Sequence, residues 1–270
     1  MAKASKVAIS DSIRRALFWQ DLYSCLFVGT TRLLSHKDYE KFSHDNDLDF
    51  APRSSVPSGF EKLISNFDEE FGSILSALNA LCGVVDTRCT PGGSPIKEHP
   101  IDNSQYCIES RLIDLLSHVR SLAVEDNIYE ACIFACFLST YKLSTGIWEG
   151  CFIPEYCSTQ ILSLLSRTRE DPRWKEDGYK ELLVWLLFTS GSLAQRHRIQ
   201  KRAFKLISET FFSVLQGIHD DWDALEDVLK GFIWSSHAME QKTWQFWQEM
   251  HSPRQLSYSL DDESVRMHPA

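Results

Sequence analysis

The residues best suited to chemistry stand together at Asp220-Asp221-Trp222-Asp223. Carboxylates one helical turn apart can hold magnesium ions that bridge a diphosphate, as an Asp-Asp-x-x-Asp spacing does. Here the position completing that spacing from Asp220 is Ala224. The cluster also precedes a helix rather than lying inside one. Capping of that helix and complementation of its dipole explain it more simply. The eight cysteines are the next candidates: Cys25, Cys82, Cys89, Cys107, Cys132, Cys136, Cys151 and Cys157. No two form a Cys-x-x-Cys pair, so ordinary zinc spacing is absent. Cys132 and Cys136 lie four apart on one helical face in an apolar setting, which reads as buried free thiols. The nine histidines are scattered, without a His-Glu-x-x-His. There is no Gly-x-Ser-x-Gly elbow, and Gly92-Gly93 lies between prolines and opens no helix that would cradle a phosphate. No catalytic residue, metal ligand or cofactor is expected.

Two other groupings bear on partners. Arg196, Arg198, Lys201, Arg202 and Lys205 form the only dense basic patch. It reads as a solvated helix face or, alternatively, as a nuclear-import or partner-binding patch. Trp244, Phe246 and Trp247 are spaced too regularly for a loop. They read as core packing of a last helix, with a partner groove as the alternative. The net charge of −9 opposes contact with a phosphate backbone, so direct DNA binding is not expected. The longest apolar run is far short of the roughly 20 residues that span a bilayer. The early lysines precede no apolar stretch of a signal peptide. A soluble, intracellular chain with reduced thiols is expected.

The elements that would position these groups are all helices. With 270 residues and 43% apolar side chains, the chain can build a substantial core. It is organised around Tyr179 to Trp234. Leu182 to Phe188 are apolar at all seven positions, which predicts a helix (179–191) buried on every side in the middle of the domain. Ser10 or Asp11 can cap a first helix to Val28, with Ile13, Ala16, Leu17, Leu22, Cys25 and Leu26 as its apolar face. Ser58 and Glu61 form a capping-box pattern before a second helix running to Val85. Asp102 or Asn103 can cap a third, with apolar positions from Ile108 to Leu122. Asn127 opens a fourth, which Gly146 ends. Pro154 suits the first turn of a fifth. Further helices are expected over 198–215, from Asp221 to Ile233, and over 239–250. Residues 35–58 and Thr90 to Pro100 read as loops. The expected fold class is all-α, an irregular domain of about eight or nine helices around the buried central one. A single domain over 11–250 is expected, between a flexible start at 1–10 and a polar tail at 251–270.

Several motifs in this order resemble the regulatory domain of fungal zinc-cluster transcription factors. Trp19-Gln-Asp21-Leu22 followed by Gly29 resembles its Trp-x-Asp-Leu segment. Leu183-Val-Trp185-Leu-Leu-Phe188-Thr-Ser-Gly191 is similar to its central helix. Arg202-Ala-Phe204 matches the element after that helix. Leu229-Lys-Gly-Phe232-Ile-Trp234, then Trp244 or Trp247, resembles its closing segment. The resemblance spans about Arg14 to Met250, and the zinc-cluster spacing of such factors is missing. It implies a non-enzymatic, transcription-regulator-like domain without its own DNA-binding module, acting through protein partners or self-association. The implied location is the nucleus, with the cytoplasm as the alternative. The competing readings are a helical enzyme of terpenoid-synthase type, suggested by the aspartate cluster, and an inactive truncated paralogue.

Overall fold

A computed structural model describes residues 11–30, 32–34, 55–88, 99–143 and 151–252. The expected start at 1–10, the expected tail at 251–270 apart from His251 and Ser252, most of the two loops, Gly146 and Cys89 lie outside the described residues. The described chain is all-α, with no strand in it. Helix α7 (Tyr179–Ser192) runs through the middle, and each residue from Leu182 to Phe188 is fully buried. With no polar face, this segment is stable only where other helices surround it. Those neighbours are α2 (Ser58–Glu61), α5 (Asn127–Leu143), α6 (Ile153–Arg167), α8 (His197–Lys205), α9 (Phe212–Leu215), α10 (Trp222–Lys230) and α11 (Gln241–Met250). Outside them lie α1 (Asp11–Val28), α3 (Glu69–Arg88) and α4 (His99–Ser121), with α1 resting on α4 and α3 on α4 and α5. Nine of these helices have nine or more residues, and two are single turns.

Helix α5 is a second interior helix. Its buried set takes in Ser139 and Thr140 as well as Ala131, Phe134 and Leu138. The buried set of α5 is therefore not confined to one apolar stripe. The Thr140 hydroxyl donates back to the Cys136 carbonyl at 2.8 Å, which lets a polar side chain sit in the core.

Three expected elements differ in detail. The Ser58–Glu61 capping box does not form: Pro57 holds the N-cap position, and no side chain caps the helix. The helix expected from Ser58 to Val85 is broken by a 3-10 turn at Ile64–Asn66 and restarts at Glu69. Asp68 marks the restart: its carbonyl accepts from Phe71 and Gly72, and its carboxylate accepts the Tyr129 hydroxyl at 2.9 Å. Helix α4 begins at His99, ahead of the expected caps. Helix α5 opens at Asn127 as expected, with Asp126 capping it by accepting from the Ile128 and Tyr129 amides. The segment expected as one helix over 198–215 is interrupted by a π turn at Leu206–Thr210. At the surface, Ile13, Leu17 and Leu122 are exposed, while Phe18 takes the expected place in the α1 core.

Two close approaches hold the elements around α7 together. The Gly59 amide donates to the Gly231 carbonyl at 2.6 Å, and a Cβ on Gly59 would stand 2.7 Å from the Phe232 ring. A Cβ on Gly191 would stand 2.2 Å from Cζ of Phe246. Only glycine lets α11 press its phenylalanine against the α7 backbone.

Candidate functional site

The interior near Phe60 holds one aromatic cluster. Trp185 stacks on Phe232 at 5.5 Å, and Phe60 meets both edge-on at 5.5 and 5.0 Å. The Trp185 indole N–H donates to the Ile233 carbonyl at 3.1 Å, so its polar atom is satisfied inside the core. A second cluster lies at the surface, where α10 meets α11. Trp244 and Trp247 stand three apart on α11 and stack at 5.0 Å. Trp222, the first residue of α10, meets them edge-on at 4.9 and 5.9 Å. The Trp247 indole N–H donates to the His219 carbonyl at 2.8 Å, and the His251 ring lies 4.6 Å from Trp247. All three tryptophans are only half-buried.

The carboxylates beside this cluster do local work. Asp221 caps α10 by accepting the Ala224 amide at 3.0 Å, as the sequence suggests. Asp220 accepts the Gly217 amide at 3.2 Å. Asp220, Asp221 and Asp223 are all exposed, so Trp222 is framed by negative charge. Indole faces edged by carboxylates suit a cationic or apolar side chain laid across them. Among the described residues, no three His, Cys, Asp or Glu side chains gather closely enough to hold a metal ion.

The basic patch is less uniform than its spacing suggests. Arg196 is paired with Glu155 at 2.8 Å and Lys205 with Glu209 at 3.7 Å. Arg202 is half-buried, and Arg198 and Lys201 are exposed. Ile199, Ala203 and Phe204 form the buried face of α8, so the cations share its outer side.

The motif residues divide by burial. Leu22, Trp185, Phe188, Gly191 and Phe232 are buried; Trp19, Trp234 and Trp247 are only partly buried. Asp21 has a structural task that its spacing does not announce. It accepts the Leu33 and Leu34 amides at 3.1 and 2.9 Å and stands 3.5 Å from the buried Arg32. Arg32 also donates to the Ser110 carbonyl and to Asp114, both at 2.8 Å, tying the chain after α1 to α4.

The most perturbed titratable groups are sealed in. Glu109 on α4 is 1% exposed, and burial pushes its carboxyl from the usual 4.5 up to about 8. The Gln105 amide, donating at 2.7 Å, offsets that only in part. Burial likewise raises the thiols of Cys82, Cys132, Cys136 and Cys157 far above their ordinary range. A thiol held protonated in an apolar core is a poor nucleophile. No disulfide joins the seven described cysteines.

The chain matches no protein-family model, no curated protein and no solved structure. No helix among the described residues is long and apolar enough to cross a membrane.

Proposed function

We propose that this is a non-enzymatic, transcription-regulator-like helical domain that works through a protein partner. The observation supporting this is the half-exposed Trp222–Trp244–Trp247 cluster edged by Asp220, Asp221 and Asp223. Tryptophan is enriched where protein surfaces bury each other, because it brings large rigid area and one donor. The flanking carboxylates select a partner segment bearing Lys or Arg, able to pair with them and lie over the indole faces. The order of the Trp19–Leu22, Leu183–Gly191 and Leu229–Trp234 motifs adds the regulatory character and a nuclear location, reached alone through Arg196 to Lys205 or on the partner. Direct DNA recognition does not fit a net charge of −9.

Two experiments test this reading. The chain is tethered to a foreign DNA-binding domain over a reporter, and a fluorescent fusion is localised with and without Arg196, Arg198, Lys201 and Arg202 changed to Ala. Nuclear fluorescence and a changed reporter output are expected. Cytosolic fluorescence together with an unmoved reporter removes the regulatory reading.

A further inference from the structure

Two histidines from distant parts of the chain meet at the rim of the tryptophan surface. His219 lies in the turn between α9 and α10, and His251 follows α11. Their ring centres stand 6.2 Å apart. Each ring is oriented by a backbone carbonyl: Nδ1 of His219 lies 3.1 Å from the Leu215 oxygen, and Nδ1 of His251 lies 2.9 Å from the Trp247 oxygen. A carbonyl oxygen can only accept, so both Nδ1 atoms carry a proton, and in the neutral rings both Nε2 atoms keep a lone pair. Neither Nε2 has a hydrogen-bond partner among the described residues. Trp247 anchors both residues, donating its indole N–H to the His219 carbonyl at 2.8 Å while its ring lies 4.6 Å from that of His251. Asp220 Oδ1 stands 3.8 Å from His219 Nε2, too far for a hydrogen bond.

An imidazole whose Nδ1–H is given to a carbonyl has its tautomer and orientation fixed for metal binding through Nε2. Two imidazoles on one ion, each nitrogen about 2.1 Å from it, have ring centres about 5–6.5 Å apart, and the separation here falls in that range. The His219 side chain is nine-tenths buried and so held in place, while the exposed His251 leaves the position open to solvent. Asp220, with the exposed Asp221 and Asp223 beside it, favours a cation there. We propose that His219 and His251 together bind a divalent transition ion that prefers imidazole, Cu2+ or Zn2+, through their Nε2 atoms, with water completing the coordination. Two side-chain nitrogens are fewer than the ligands of a structural zinc site, so this ion exchanges with solvent rather than holding the fold. It would join the turn before α10 to the end of α11, the two elements that present the tryptophan rings. The site is built from residues other than those rings, and its test does not depend on the regulatory reading.

The test is calorimetric titration of the chelator-treated full chain at pH 7 with Cu2+, Zn2+ and, as a control, Mg2+. Saturable one-site binding of Cu2+ and Zn2+, tighter for Cu2+, is expected, with none of Mg2+. His219→Gln and His251→Gln should each weaken Cu2+ binding about 10-fold or more, since even a group that only orients a ligand is worth that much. His251 is exposed, so His251→Gln should keep the circular dichroism and Tm of the metal-free parent, which separates lost binding from lost folding. His197→Gln, on the exposed start of α8, should leave binding unchanged. Electron paramagnetic resonance of the Cu2+ complex should show two coupled nitrogens in the parent and fewer in each variant. Absence of a saturable site, a folded His251→Gln variant that binds as the parent does, or equal weakening by His197→Gln would mean an adventitious ion only and overturn the proposal.

Discussion

The two aromatic clusters use the same side chains for opposite ends. Around Trp185 the rings of Phe60 and Phe232 are shut away from water, and the indole N–H ends on a backbone carbonyl of the core. Around Trp244 the rings of Trp222 and Trp247 also touch one another, yet each keeps part of its surface in solvent. The difference comes from what covers them. The Trp185 cluster is closed by α2, α7 and the turn after α10, which the Gly59–Gly231 bond pulls together. The tryptophan cluster lies where α10 meets α11, and its three rings stay half-buried. Aromatic area left half-covered is available to a partner, while area fully covered has been used to specify the fold.

The sharpest break of this comparison is Trp185→Ala. It should destabilise the chain by ~3–5 kcal/mol and lower Tm by on the order of 10 °C. Wild-type thermal stability would show that α7 is not the central support. Gly191→Ala comes next. The added methyl would drive Phe246 out of its seat, and overpacking of this kind costs about 1–3 kcal/mol. Thermal denaturation measures it, and an unchanged Tm would mean that α11 is not pressed on α7.

A third measurement concerns the buried Glu109. Its folded pKa lies above its ordinary value, so folding favours the protonated form. Its contribution to stability is therefore complete below about pH 4.5 and falls away as pH rises toward about 8. Glu109→Gln should flatten that part of the stability–pH curve, measured by urea unfolding at several pH values. An identical slope in the variant would place the carboxyl in water. Smallest in stability is Trp244→Ala, about 1 kcal/mol, because only part of that ring's area is withdrawn from solvent.

The central helix was legible because seven consecutive apolar residues leave no polar face to point outward. The helix count and the Asp221 cap were legible for similarly local reasons. The interior place of α5 was not, because Ser139, Thr140, Tyr129 and Tyr141 dilute its apolar pattern, and only tertiary packing buries them. The break at Ile64–Asn66 leaves no mark in the sequence, because Phe60, Leu63, Ile64, Phe67 and Phe71 keep the helical rhythm across it. The surface cluster was half visible. Trp244 and Trp247 are neighbours on one helix face, but nothing in their spacing brings Trp222 to them.

The most direct test of the division between closed and open aromatic clusters is the tethered reporter with Trp222 and Trp244 both changed to Ala. Circular dichroism and Tm should confirm that the double variant is folded. The account predicts that the folded variant loses the reporter effect of the parent chain. A folded double variant that drives the reporter as the parent does would contradict it.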